Sequence, residues 1–331
     1  MFKIRDIQIN GKVILAPMAG ITTASYRKFA KPFGVALSYT EMVSDMGLIY
    51  NNQVTFSYLS GAKEDRPIAI QLFGNEKESL VKAVEIVEQS TFAYDLIDIN
   101  LGCPVPKVTR GGGGSAWLKR PSELFEMMEA VVKASAKPVS AKIRLGYSDQ
   151  SINFKEVIQG LEEAGVAMIA LHLRTKEQLY RGKVDYEIAR DLGKNMKVPL
   201  IISGDIYTLD DAIKAIEVTG ASGVMVARGG IGNPHLIKQI DHYFKTGEKL
   251  NDATLEEQLT YMREYAKMLI KEKGETTGVK MLRSVLPKFL NRYPHMKQFK
   301  IDLVTKTHTY ADIEKVLVKI ESGLLNKEFN L

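Results

Sequence analysis

Between residues 12 and 247, short apolar, β-branched runs alternate with longer stretches whose apolar positions recur at helical spacing. Runs of the first kind read as buried strands, and those of the second as amphipathic helices. Strands are predicted over 13–19, 36–42, 68–73, 96–101, 139–145, 168–174, 200–203 and 223–227. Helices are predicted between them over 78–89, 121–134, 154–164 and 209–219. Pro121-Ser122 opens one apolar stripe, and Thr208 stands where another helix needs an N-cap. Eight strands alternating with helices predict an α/β fold, a (β/α)8 TIM barrel, with a doubly wound open sheet as the alternative.

The polar residues favour the barrel. Nearly every predicted strand ends in a binding-type group: Pro17-Met18, Glu41, Gln71, Asn100, Lys142, His172, Gly204-Asp205 and Arg228. In barrels the active site lies where the strands point their C-terminal ends. Beyond Leu250 the strand pattern stops. Residues 255–271 read as one helix, with Leu255, Leu259, Met262, Tyr265, Ala266 and Leu269 on its apolar face, and 313–320 read as another. The expected division is therefore a catalytic barrel over 1–247 and a small all-helical domain over 251–331.

The composition, 45% hydrophobic and 25% charged in 331 residues, is that of a globular protein. A net charge of +6 permits a polyanionic partner without requiring one. Its distribution says more. The stretch 276–301 carries Lys280, Arg283, Lys288, Arg292, Lys297 and Lys300 with no acidic residue, and Phe289, Tyr293 and Phe299 lie among them. A charge run is ordinarily a solvated face; this one could also contact phosphates. Cys103 is the only cysteine, so no internal disulfide forms and a cytoplasmic setting is expected. The charged start of the chain is followed by no signal-type apolar core, and no run of eighteen apolar residues is present. No His/Cys/carboxylate group has metal-ligand spacing, so no metal site is expected. A monomer is expected, since no coiled-coil seam is apparent.

The most informative stretch runs from Asp98 to Ser115 as DINLGCPVPKVTRGGGGS. Its cysteine follows Gly102 and precedes Pro104, where the chain has left its strand in an extended conformation. The glycines at 111–114 cannot continue a helix cheaply, and they let backbone approach something closely packed. Asn100-Leu-Gly-Cys103-Pro104, with Lys107 and the glycine run, resembles the signature of the tRNA-dihydrouridine synthases. The resemblance extends to Ala16-Pro17-Met18-Ala19-Gly20, Ile70-Gln71-Leu72-Phe73-Gly74, Ala141-Lys142-Ile143-Arg144 and Leu171-His172-Leu173-Arg174-Thr175. It continues through Gly204-Asp205-Ile206 and Val224-Met225-Val226-Ala227-Arg228-Gly229, in order over about residues 10–245.

The resemblance implies bound FMN. Pro17, Met18 and Ala19 would line the flavin ring, Gln71 and Lys142 would hold its pyrimidine side, and His172 would also touch it. A cation near N1 and O2 stabilises anionic reduced flavin. Ser203, Gly204, Asp205, Ala227 and Arg228 would bind the ribityl chain and phosphate. Many relatives have Asn-Gly-Asp in place of Ser203-Gly204-Asp205, and Gly-Arg in place of Ala227-Arg228. Asn100 and Cys103 would face the substrate; Lys107, Arg144, Arg174, Lys280 and Arg283 are expected to contact it. By the same resemblance, hydride would pass from flavin N5 to C6 of uracil and a proton from Cys103 to C5. NADPH would re-reduce the flavin in a transient visit, because no strand–GxGxxG–helix fingerprint is visible. The partner would be RNA, tRNA by default, with the target uridine out of its stack.

Other readings stay open on the residues alone. They are an FMN barrel acting on a free pyrimidine, a lyase with Lys142 as Schiff-base former, and an inactive barrel that binds RNA. Glu41 and Asp98 could be catalytic or structural carboxylates.

Overall fold

The computed structural model describes residues 1–59 and 65–325. Eight parallel strands form the centre: β1 (Val13–Leu15), β2 (Val35–Tyr39), β3 (Ile68–Phe73), β4 (Leu96–Leu101), β5 (Val139–Arg144), β6 (Met168–His172), β7 (Leu200–Ser203) and β8 (Gly223–Val226). Each pairs with the next in parallel, and β8 pairs with β1, closing the barrel. The open-sheet alternative is thereby excluded. The first helix is α1 (Ala24–Ala30), and α2 (Lys77–Glu88), α3 (Pro121–Ala134), α4 (Phe154–Glu163), α5 (Leu209–Thr219) and α6 (Pro234–Thr246) follow it around the outside.

Strand alternation divides the core in two. Ile97, Ile99, Val139, Ile143, Leu171 and Ile202 face outward, into a layer shared with the helices. Ile14, Tyr39, Ala69, Leu96, Met168, Ala170, Ile201 and Met225 face inward. An antiparallel hairpin, Phe2–Ile4 with Ile7–Ile9, lies before β1 and adds the fully buried Ile4 and Ile9 to that inner cluster. It therefore stoppers the end of the barrel opposite the strand C-termini.

Several strands end earlier than predicted, among them those at 13–19, 36–42 and 168–174, and two of these have local reasons. Pro17 offers no N–H to extend β1, and the chain turns there, with Ile21 and Thr22 donating to the Met18 carbonyl. After His172 the Leu173 N–H crosses to Ser203 and the chain bends away. The connection from β6 to β7 holds only single turns, Tyr186–Ala189 and Leu192–Asn195.

Beyond α6 come α7 (Leu255–Lys273), α8 (Glu275–Phe289), α9 (Lys297–Thr305) and α10 (Tyr310–Leu325). Two of these four were predicted. Gly278 and Pro287 disguise α8 in the sequence. Gly278 is a packing position, where a Cβ would come within 2.9 Å of the Ile270 Cα on α7. The helices share the barrel's outer core. Tyr265 meets Tyr26 edge-on at 5.4 Å, Tyr261 meets Phe33 at 4.9 Å, and Phe289 lies 6.3 Å from Phe29. Such pairs each contribute about 0.5–1.5 kcal/mol beyond their buried area. Past the expected break near 247–251 the described residues form helices and no strand, and the apolar cluster runs across it without interruption. Residues 326–331 of the expected helical domain lie outside the described residues. Among the described residues, no helix is long and apolar enough to cross a membrane.

Candidate active site

Alternation lifts Gln71 and Asp98, then Asn100, Lys142 and His172, toward the barrel mouth on its inner face. Register sets Gln71 beside Asp98, Asn100 beside Lys142, and Ser203 beside His172. Above them opens a cleft of about 380 Å³. Of the expected site residues, Pro17, Met18, Ala19, Asn100, Cys103, Lys142, Arg144, His172, Ser203, Gly204, Asp205, Ala227 and Arg228 line it.

Cys103 sits on a loop pinned from both sides. Its N–H donates to Asn100 Oδ1 at 2.8 Å, and its carbonyl accepts from the Ser115 N–H at 3.1 Å and the Ser115 hydroxyl at 2.9 Å. The glycine run packs directly against this loop. A Cβ on Gly114, whose φ is +56°, would lie 2.8 Å from the Cys103 carbonyl oxygen. Cys103 is 8% exposed, and burial pushes its thiol pKa up against the opposing pull of a Val105 hydrogen bond and the Arg144 and Lys142 charges. Cys103 is therefore an undissociated thiol at neutral pH.

Lys142 rises from β5 at the cleft floor. Among the described residues its ammonium makes no hydrogen bond and no ion pair. Burial, helped by the Arg144 charge, lowers its pKa to about 8, while Asp98 and Cys103 hold it up. It stays largely cationic at neutral pH. His172 is held well below its ordinary pKa by burial and by the charges of Lys142, Arg144, Arg174 and Arg228, so it is a neutral imidazole.

The opposite rim is charged. Asp205, at φ +50°, accepts from Arg174 at 2.6 Å and from the Val184 N–H at 3.0 Å, and Arg228 lies 3.5 Å away. Burial opposes its ionisation, but these donors win and hold its pKa low. Arg228 is half-exposed and lies over the rings of Tyr180 and Tyr207, at 4.9 and 5.7 Å. Gly204 and Gly229 keep this rim low. A Cβ on the first would meet Val184 at 2.7 Å, and one on the second would meet the Ile206 carbonyl oxygen at 2.0 Å.

Five expected residues do not line the cleft. Gln71 is fully buried one layer below, bonded to Asp98 and Asn100. Arg174 is buried behind Asp205 and also donates to the carbonyls of Arg181 and Gly182. Lys107 is exposed on the single turn Pro106–Thr109 just past Cys103. Lys280 is exposed on α8, while Arg283 donates to the Thr307 carbonyl and to His308. The aromatics of the basic stretch serve packing: Phe289 is buried in the core, Phe299 packs against it, and the Tyr293 hydroxyl bonds the Ala253 carbonyl. That stretch therefore presents cations without an aromatic stacking face. Neither Glu41 nor Asp98 lines the cleft, and Glu41 accepts from the Gly20 N–H of the loop that walls it. Tyr180, Tyr207 and Met42 line the cleft and were missed: the tyrosines sit in loops where no periodicity marks them, and Met42 reads as the apolar end of the strand predicted over 36–42, which in fact stops at Tyr39.

The profile of the family described as "Dihydrouridine synthase (Dus)" matches residues 14–321. A "Probable tRNA-dihydrouridine synthase" of Rickettsia bellii is 33% identical over 99% of this chain and 100% of its own length. The "tRNA-dihydrouridine synthase B" of Shewanella oneidensis is 30% identical over 94% of this chain and 97% of its own. Among solved structures, an old yellow enzyme homologue from Zymomonas mobilis superposes with a TM-score of 0.52 at 14% identity, over 76% of this chain and 93% of that one. At that identity the likeness is one of fold.

Proposed function

The chain belongs to the dihydrouridine synthase family, and from that premise we propose that it reduces specific uridines in tRNA to 5,6-dihydrouridine using bound FMN and NADPH. The observation that carries the proposal is the meeting, in one cleft, of an undissociated thiol and an unpaired ammonium.

The residues present fit FMN. Pro17, Met18, Ala19, Met225 and Ala227 offer apolar walls to a flat ring. Lys142 would sit at the anionic edge of that ring, with neutral His172 beside it as a hydrogen-bonding group. Ser203, Gly204 and Arg228 would take the ribityl phosphate, where barrels commonly hold phosphate. Asp205 would act there by aligning Arg228. When bound, FMN supplies hydride chemistry at the uracil C6.

The chain's own residues supply the rest. A proton must reach C5, and Cys103 holds one because its burial keeps the thiol undissociated. Asn100 and Ser115 fix the cysteine's backbone, so the Sγ keeps one approach to the base. Arg144 donates to the carbonyls of Gly102, Thr175 and Leu179, clamping the Cys103 loop to the loop carrying Tyr180. The uridine would enter from above, extruded from its stack, with Lys107 at the rim and Lys280 on α8 near phosphates.

The test is the visible spectrum of the purified protein, anaerobic addition of NADPH, and mass spectrometry of tRNA and of free uridine after turnover. Flavin bands that bleach, with a gain of two hydrogens in tRNA alone, are expected. A protein that neither carries nor takes up FMN would overturn the proposal.

A further inference from the structure

Beneath the cleft lies a chain of hydrogen bonds with one direction. Asp98 is fully buried and accepts from Gln71 Nε2 at 2.7 Å and from the Ser140 hydroxyl at 2.6 Å. Gln71 Oε1 accepts from Asn100 Nδ2 at 2.8 Å. Asn100 Oδ1 accepts from the N–H groups of Cys103 at 2.8 Å and Gly102 at 3.2 Å.

A side-chain amide presents a donor at one end and an acceptor at the other, and an ionised carboxylate only accepts. Asp98 therefore requires the nitrogen end of Gln71, which turns the Gln71 oxygen toward Asn100. That oxygen requires the nitrogen end of Asn100, which leaves the Asn100 oxygen for the Cys103 peptide. Each link has a single allowed sense, held at one end by the carboxylate and at the other by the peptide N–H groups of Gly102 and Cys103, which only donate. Neighbouring strands β3 and β4 supply all three side chains, so the register of the barrel builds the chain.

We propose that Asp98 is a positioning residue for Cys103: its carboxylate, acting through Gln71 and Asn100, sets the amide orientation that anchors the turn carrying the thiol. This rests on Cys103 being the proton donor, as argued above. Asp98 itself touches neither substrate nor cofactor in this role.

Because Cys103 is the only cysteine, its position can be read without turnover, as the rate at which iodoacetamide alkylates the purified protein. Asp98→Asn offers Gln71 an amide of either sense and so removes the constraint at the buried end of the chain, leaving only the two peptide N–H groups to hold Asn100. Expected are a several-fold change in alkylation rate and a fall of about 10- to 100-fold in single-turnover uridine reduction, with flavin reduction by NADPH retained. Adding Gln71→Glu to Asp98→Asn moves the carboxylate one link up the chain. An acceptor again faces Asn100 Nδ2, so the alkylation rate should return toward that of the unmodified sequence. Ser140→Ala removes the other donor to Asp98 and should leave the rate unchanged. An unchanged alkylation rate in Asp98→Asn, a double variant that does not recover, or an equal effect from Ser140→Ala would each overturn the proposal. If the unmodified protein fails to reduce uridine, the proposed function falls while the alkylation series still reads the positioning.

Discussion

On the wall of the cleft built by β4 and the loop after it, the Cys103 peptide is paired on both sides and the thiol is sheltered from water. On the wall built by β7, β8 and their loops, Arg228 stands half in solvent over two tyrosines, and Asp205 lies between it and Arg174. The first wall keeps a proton by withdrawing charge and solvent from a weak acid. The second holds cations where an anion can reach them. On the proposed function, chemistry and cofactor retention fall to different walls, and either should be lost while the other persists.

The largest expected effect tests that division directly. Cys103→Ala should slow uridine reduction by about 10²- to 10⁴-fold, the usual worth of a positioned general acid, while flavin content and its bleaching by NADPH persist. In the unmodified protein, alkylation of the thiol should reach half its limiting rate at a pH above the ordinary thiol value, because burial raises its pKa. Half-reaction at or below that value would remove the argument for a sheltered acid. Arg228→Ala should act conversely, weakening FMN retention by about 10- to 100-fold, the range for losing a hydrogen bond to a charged group, with turnover restored by added FMN. If added FMN does not restore it, the two walls are not separable.

Asp98 sharpens the contrast by stability. Its pKa is raised from 3.8 to about 6, mainly by burial. A group with a raised folded pKa contributes stability below its unfolded value and loses it as pH rises through the folded one. At neutral pH the buried charge therefore costs the fold, on the order of 2–3 kcal/mol. Asp98→Asn should raise the melting temperature at neutral pH, with the gain vanishing below the unfolded pKa, even as it disturbs Cys103. The smallest effect is expected from Gly114→Ala. A left-handed residue with a side chain costs about 1–2 kcal/mol, and the new Cβ would press on the Cys103 carbonyl. Thermal unfolding together with the alkylation rate would check it.

The fold was legible where burial is regular. The strands at 68–73, 96–101 and 200–203 and the helices at 121–134 and 209–219 fall where the apolar spacing put them. In the helical region the same reading failed at α8 and α9. Gly278 there serves a close helix crossing, and basic residues interrupt the buried stripe of Val279, Leu282, Val285 and Leu286 along the chain. The residues gathered around the cleft were legible because alternation carries strand-end polar groups to one mouth. What escaped was direction. Gln71 reads as a strand-end amide facing a ligand, and only its bonded partners show it turned toward Asp98 and Asn100. Likewise Arg174 and Arg283 read as free cations, yet their guanidinium groups bond carbonyls of the chain itself.

The aromatic contact between α1 and the later helices bears on how the chain is made. Tyr26, Phe29 and Phe33 leave the ribosome more than 200 residues ahead of Tyr261, Tyr265 and Phe289, which cover them. At roughly 5–20 residues per second, the nascent chain carries these aromatics without their cover for about ten seconds or more. Such a face is a natural place for a chaperone to hold the unfinished chain, and a message cut short after the last strand should yield a barrel that clumps.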